Sequence, residues 1–152
     1  MSENTMVAQV ESLPDLVRSE FNTLDGGVRR LLDHNECLSV KRMVITGCGD
    51  SHMAGLATEL AFEELAGIPT EPMTAMQAAR YGVTYQPKSF PKNPLVLGIS
   101  VSGTVKHSPK PLPLREDGAL TVAVTANPDA PLAKPPRRCS TAPCRTLLRS
   151  GA

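Results

Sequence analysis

Apolar and polar positions alternate along the chain in two different periods. From Leu13 to Leu38 apolar residues recur at spacings of three and four: Val17 and Phe21, then Leu24, Val28, Leu31 and Leu32. That period predicts an amphipathic helix from Leu13 to Leu38 inside an N-terminal segment bounded at 1–39, with Asp25-Gly26-Gly27 as a candidate break into two helices. Arg42-Met43-Val44-Ile45-Thr46 is a short apolar run and predicts a buried strand ending in a tight turn at Gly47-Cys48-Gly49. A helix is predicted from His52 to Ala66, with Met53, Leu56, Ala57 and Leu60 on one face, stopped by Gly67 and Pro69. Thr70–Met73 reads as a short strand, Ala75–Tyr81 as a short helix, and residues 81–92 as a polar loop. Two stronger strands follow, Pro94–Ser100 and Leu120–Thr125. Both are near-continuous apolar runs, the pattern of strands covered on both faces. Strands alternating with helices imply an α/β fold with a parallel sheet, in which ligands sit at the carboxyl ends of the strands.

Composition narrows the function. The 152 residues are 41% hydrophobic but only 3% aromatic, without tryptophan. Aliphatic residues and methionines (Met43, Met53, Met73, Met76) must therefore fill the core. The formal net charge of +1 gives no reason to expect nucleic acid or an anionic membrane as partner. No apolar run approaches the roughly 18 residues of a membrane span, and the acidic N-terminal stretch (Glu3, Glu11, Asp15) is unlike a signal peptide. A cytoplasmic protein is expected. Cys37, Cys48, Cys139 and Cys144 lack metal-binding spacing, so neither zinc nor disulfides are expected.

Candidate chemistry gathers at the strand ends. In Gly47-Cys48-Gly49-Asp50-Ser51 the glycines permit a tight turn and close backbone approach, and Ser51 stands where a helix begins. Free N–H groups and the helix dipole favour an anion there. Ser100-Val101-Ser102-Gly103-Thr104 offers three hydroxyls around a glycine. Hydroxyls and amides without lysine or arginine suit a phosphate monoester on a small polar molecule. Thr125-Ala126-Asn127-Pro128-Asp129 adds a third polar loop to the same rim. The dinucleotide fingerprint is missing because His52 replaces its third glycine, and no Walker lysine follows. No cofactor is expected. Cys48 reads as a small buried turn residue. His52 reads as a first-turn residue facing solvent, and Glu63 and Glu64 as a solvated helix face.

The order and spacing of Val44–Gly55, Phe62–Pro69, Gly98–Thr104 and Ala123–Ala133 resemble the sugar isomerase (SIS) domain. This is the phosphosugar-binding fold of the isomerase half of glucosamine-6-phosphate synthase and of related double-domain proteins. The resemblance covers roughly residues 40–104 and 118–133. It implies a flavodoxin-like three-layer α/β sandwich, incomplete at the C-terminus, over residues 40–133. It implies a sugar phosphate held by Ser51, Ser100 and Ser102, with Thr104 as a further hydroxyl and Gly47, Cys48, Gly49 and Gly103 as the surrounding backbone. Two positions depart from the family: Asp50 stands where threonine is frequent, and Val105 takes the usual threonine place, leaving Thr104 one residue early. In synthase-like members the base glutamate, ring-opening histidine and C-terminal lysine come from a second domain or partner subunit. This sequence shows no evident replacement, and it is expected to be truncated before a second domain. The resemblance further implies homodimers. The function expected is binding of a phosphorylated sugar or amino sugar within a phosphosugar isomerase-, aminotransferase- or deaminase-like protein. A non-catalytic sugar-phosphate sensor and a non-functional fragment are the alternatives.

Charge and proline are unevenly spread. Residues 1–133 sum to −4, while 134–152 carry five basic residues and no acid. Eight of 14 prolines lie between Pro109 and Pro143. The alternating prolines of the 105–117 crossover forbid a regular helix where a parallel connection wants one. Residues 134–152 read as a basic, proline-rich tail without fixed structure. Back-translation of Lys106–Arg115 and of the stretch from Lys134 permits codons that, read from the third base, give Ala-Leu-Ala-Glu-Ala-Leu-Ala-Leu-Ala and Ala-Ala-Glu-Glu-Val-Leu-Asp-Cys-Pro-Val. Both are helix-compatible texts of the kind this fold needs. The two segments are therefore read as out-of-frame stretches of a GC-rich gene, which the nucleotide sequence tests.

Overall fold

A computed structural model describes residues 5–82, 94–104, 120–127, 129, 131, 132 and the strand 144–148. Within them the chain runs α1 (Thr5–Arg29), α2 (His34–Ser39), β1 (Met43–Gly47), α3 (Asp50–Ala66), β2 (Thr70–Thr74), α4 (Ala75–Gln77) with a π-helical turn over Ala78–Gly82, β3 (Leu95–Ile99), β4 (Leu120–Thr125) and β5 (Cys144–Leu148). The proline-rich crossover, the 83–92 loop, and residues 134–143 and 149–152 of the expected tail lie outside the described residues.

All four strand pairings are parallel, and the sheet order is β2-β1-β3-β4-β5. That is the flavodoxin-like order, whose strand sequence reverses between β1 and β3. β1 is an interior strand between β2 and β3, and all five of its residues are buried. β2 lies at an edge, which is why Pro72 is tolerated inside a strand.

The two faces of β1 meet different layers. Val44 joins Met73, Val96 and Ala78 in one buried cluster. Ile45 points the other way, toward Gly55 of α3: a Cβ added there would stand 3.0 Å from Ile45 Cγ2. Gly55 is thus a close-approach glycine that lets α3 lie against the sheet. Gly67 ends α3 in the left-handed region (φ 64°), its N–H donating to the Glu63 and Phe62 carbonyls.

Four expectations need correction. The helix predicted from Leu13 begins at Thr5 and continues through Asp25-Gly26-Gly27, braced by the Arg29–Asp25 ion pair at 2.8 Å; the break comes after Arg29. Asp33 then caps α2 with a reciprocal capping box to Glu36. On α3, Met53, Leu56 and Leu60 do share a face, but it points outward, with Leu60 73% exposed. Ser51, His52, Gly55, Glu59 and Phe62 form the covered side instead. The covered side is chosen by close approach at Gly55, which meets Ile45, and not by the apolar period. Of the methionines assigned to the core, Met43 and Met73 are buried while Met53 and Met76 are exposed. Finally, Cys144–Leu148 falls in the expected tail yet forms β5, hydrogen-bonded along β4. A parallel strand is held by backbone bonds to its neighbour, which local composition does not report.

Candidate functional site

The site lies where β1 and β3 end side by side. Their pairing runs from Met43↔Leu95 to Thr46↔Gly98, so the turn after Gly47 and the loop after Ile99 leave the sheet as neighbours. In an open parallel sheet this reversal point is where a crevice forms.

The first loop is shaped by two glycines. Any Cβ on Gly47 would stand 2.7 Å from Ser51 Cβ and 2.8 Å from the Ser51 carbonyl carbon. Gly49 adopts φ 54°, ψ −127°, which side-chain-bearing residues avoid, and serves as the N-cap of α3 without a side-chain hydrogen bond to the helix. The start of α3 is therefore not sealed by a capping hydroxyl or carboxylate. Ser51 N–H donates to the Cys48 carbonyl (3.2 Å), and His52 N–H to that of Gly49 (2.9 Å). Ser51 is half-buried on the first turn; Cys48, expected to be buried, is exposed with a free thiol. Asp50 is also exposed.

The second loop is held from within. Ser100 is 7% exposed, and its Oγ accepts from the Gly103 N–H (3.1 Å). Gly103 has φ 64°. Ser102 Oγ accepts from both the Thr104 N–H (3.3 Å) and the Thr104 hydroxyl (3.0 Å). Ser102 and Thr104 are exposed on the rim. β4 ties this loop down: the Ala126 N–H and the Thr125 hydroxyl both donate to the Val101 carbonyl, at 3.2 and 3.3 Å. Leu132 N–H reaches the Gly103 carbonyl at 3.3 Å. Asn127 Oδ1 accepts from the Asp129 N–H (3.0 Å), closing the third polar loop.

The eight residues singled out from the sequence thus fall on two adjacent loops, with different jobs. Gly47, Gly49 and Gly103 set backbone shape, Ser100 organises its own loop, Ser51 is half-buried on the first turn of α3, and Ser102 and Thr104 are exposed on the rim. Two residues escaped sequence reasoning. Thr46, at the end of β1, buries an Oγ1 without a hydrogen bond among the described residues. His52, expected to face solvent, is half-buried, and its Nδ1 is likewise buried and unbonded. Neither threonine in an apolar strand nor histidine in a first turn signals burial. Among the described residues the charged groups on this rim are the carboxylates of Asp50 and Asp129. Arg42, which burial draws below the usual guanidinium range against the opposing pull of Glu71 (3.2 Å), lies at the other end of β1. Glu63 and Glu64 are exposed on α3, and Glu63 also accepts from the Thr70 N–H at 3.2 Å.

The family model of the SIS domain matches residues 38–143, more than two thirds of the sequence and continuous through both loops. The chain belongs to the SIS domain family. Among curated proteins this SIS domain is 27% identical over 132 residues to the isomerizing glutamine–fructose-6-phosphate aminotransferase of Gloeobacter violaceus. The match covers 84% of the chain and 21% of that relative, so the chain spans about a fifth of its length. Solved SIS structures share the fold. Tagatose-6-phosphate ketose/aldose isomerase from Escherichia coli matches with TM-score 0.60 and 14% identity over 91% of this chain and 36% of that one. The C-terminal domain of glucosamine-fructose-6-phosphate aminotransferase from Francisella tularensis gives 0.56 and 16% over 83% and 37%. The family match begins at residue 38 and leaves α1 outside. Among the described residues of the SIS domain no helix is long and apolar enough to cross a membrane.

Proposed function

We propose that this SIS domain binds the phosphate end of a phosphorylated sugar or amino sugar in the crevice between the β1 and β3 loops. The observation that carries the reading is the pairing of an uncapped helix N-terminus at Gly49–Ser51 with an adjacent loop presenting Ser102 and Thr104. Such a pocket offers neutral donors and the positive end of a helix dipole to an anion. Among the described residues Arg42 lies at the far end of β1, paired with Glu71, so the donors placed at the crevice are neutral ones.

The relatives' names support a phosphosugar as the ligand class: an aminotransferase forming an amino sugar phosphate and a ketose/aldose isomerase both handle such molecules. The proposal is for binding. Isomerisation, amino transfer or deamination belongs to the longer proteins in which this domain occurs, and a dimer of such domains is part of the same reading.

Thermal unfolding with fructose 6-phosphate and glucosamine 6-phosphate tests it. At 100 times the dissociation constant a native-state ligand adds about 2.7 kcal/mol, which for a domain of this size raises the melting temperature by roughly 5–10 °C. Fructose and glucosamine without phosphate should give no shift. Ser51→Ala combined with Ser102→Ala should remove the shift while leaving the unliganded melting temperature nearly unchanged. No shift with either sugar phosphate overturns the proposal. A shift without turnover fits a binding half-site or a sensor.

A further inference from the structure

His52 follows Ser51 on the first turn of α3, and the binding of a phosphate by hydroxyls alone gives it no role. With Gly49 as N-cap it is the third helical residue. Helical side chains lean toward the N-terminus of their helix, and the third position is the one from which a side chain reaches back to the open end. Glu36 closes α2 from that position; on α3 no side chain makes such a bond. The amides of Ser51, His52 and Met53 are already spent, donating to the Cys48 and Gly49 carbonyls at 3.2, 2.9 and 3.1 Å. An anion at this helix end therefore takes part of its hydrogen bonds from side chains. Asp50 also sets an exposed carboxylate on the same turn, whose repulsion of an anion further donors must offset.

The two nitrogens of the His52 ring stand in different surroundings. Nδ1 is buried and has no hydrogen-bond partner. The residue as a whole is half-buried, and Nε2, on the ring's other edge, is not enclosed in this way and makes no hydrogen bond among the described residues. A neutral imidazole carries one proton, and its tautomer follows from what each nitrogen meets. Placed on Nδ1, the proton would be a buried donor without an acceptor, which folded chains avoid more strictly than an unmet acceptor. Nε2 would then turn a bare lone pair toward the anion. Placed on Nε2, the proton becomes a donor on the accessible edge.

We propose that His52 is a phosphate-contacting residue, held as the Nε2–H tautomer and donating a hydrogen bond to a phosphate oxygen at the start of α3. Resting on the sugar-phosphate reading, this contact adds a ring donor to the hydroxyls of Ser51, Ser102 and Thr104. It is a hydrogen bond only; no proton changes hands.

Two measurements on the full chain test it, both at about pH 8, above the usual histidine range. Glutamine can place a side-chain N–H close to where histidine carries Nε2, and leucine cannot. The dissociation constant for fructose 6-phosphate should rise roughly ten- to hundredfold in His52→Leu and stay within about threefold of wild type in His52→Gln, as expected for loss or retention of a hydrogen bond to a charged group. A purely structural role for the ring would not be restored by glutamine in this way. Long-range proton–nitrogen NMR spectra of the ligand-free chain, assigned with His52→Leu, should show Nε2 protonated and Nδ1 bare. Fructose 6-phosphate and inorganic phosphate should each shift the Nε2–H signal, and fructose should leave it in place. If wild type binds fructose 6-phosphate, the proposal is overturned by equal binding in His52→Leu, by a loss in His52→Gln as large as in His52→Leu, by a proton on Nδ1, or by an Nε2–H signal that ignores phosphate. Each of these leaves the sugar-phosphate reading standing. A wild type that binds no sugar phosphate overturns both.

Discussion

A methyl group on Gly47 has nowhere to go. It would sit 2.7 Å from Ser51 Cβ and 2.8 Å from backbone, and backbone cannot rotate aside as a flexible side chain can. Gly47→Ala should therefore cost about 1–3 kcal/mol and also displace the start of α3, checked by urea unfolding together with the fructose 6-phosphate shift. Gly49 poses a different problem: nothing lies within 4 Å of its hypothetical Cβ, and the obstacle is its backbone conformation alone. Both glycines could be picked out from their place after an apolar run. The division of labour among the hydroxyls could not, because Ser100 and Ser102 differ by whether the side chain turns inward to Gly103 or outward to the rim. Two residues apart on a loop, neither has a periodicity to reveal it. The buried, unbonded atoms of Thr46 and His52 depend in the same way on what packs over them.

At the scale of elements, α3 shows why an apolar face is weak evidence of a core face. Its inner contact uses Gly55 against Ile45, whereas Leu56 and Leu60 point away. Ile45→Ala should destabilise the domain by about 2–5 kcal/mol, since it empties a fully enclosed site under the helix. Leu60→Gln should change stability by no more than about 0.5 kcal/mol. Chemical denaturation of the two variants separates them; equal effects would place Leu60 in an interface not visible within one chain. Strands β1, β3 and β4 were legible because they are near-continuous runs of Val, Ile and Leu; β1 is buried throughout, whereas in β3 only Val96 and Gly98 are. β2 was legible in outline, though its edge position, which admits Pro72, was not. The start of α1 and the whole of β5 were missed. The first has Thr5–Ser12 before a proline that suggests a helix start, and the second has a five-residue segment whose pairing exists only in the sheet.

For the molecule as a whole, the sheet order makes a site out of loops 50 residues apart in sequence. β1 and β3 are neighbours because β2 is laid on the far side of β1, and the reversal brings the Gly47–Ser51 turn beside Ser100–Thr104. The proline-rich stretches at 105–117 and 134–143 are where the sequence least resembles the fold's needs, although the family match continues through them. Sequencing the gene should show that the codons for Lys106–Arg115 and from Lys134, read one frame over, encode alanine- and glutamate-rich helical text. Codons without that property remove the out-of-frame reading.

The sequence by itself determined the fold class, the glycine- and hydroxyl-rich loops after the strands and the family, because apolar runs, glycine turns and hydroxyl clusters are local patterns set by local sterics and solvation. Only the tertiary structure decided which loops meet, which hydroxyls turn inward, which side of α3 is covered and that α1 is left exposed. Those outcomes depend on contacts between residues far apart in the chain, and no local period encodes them.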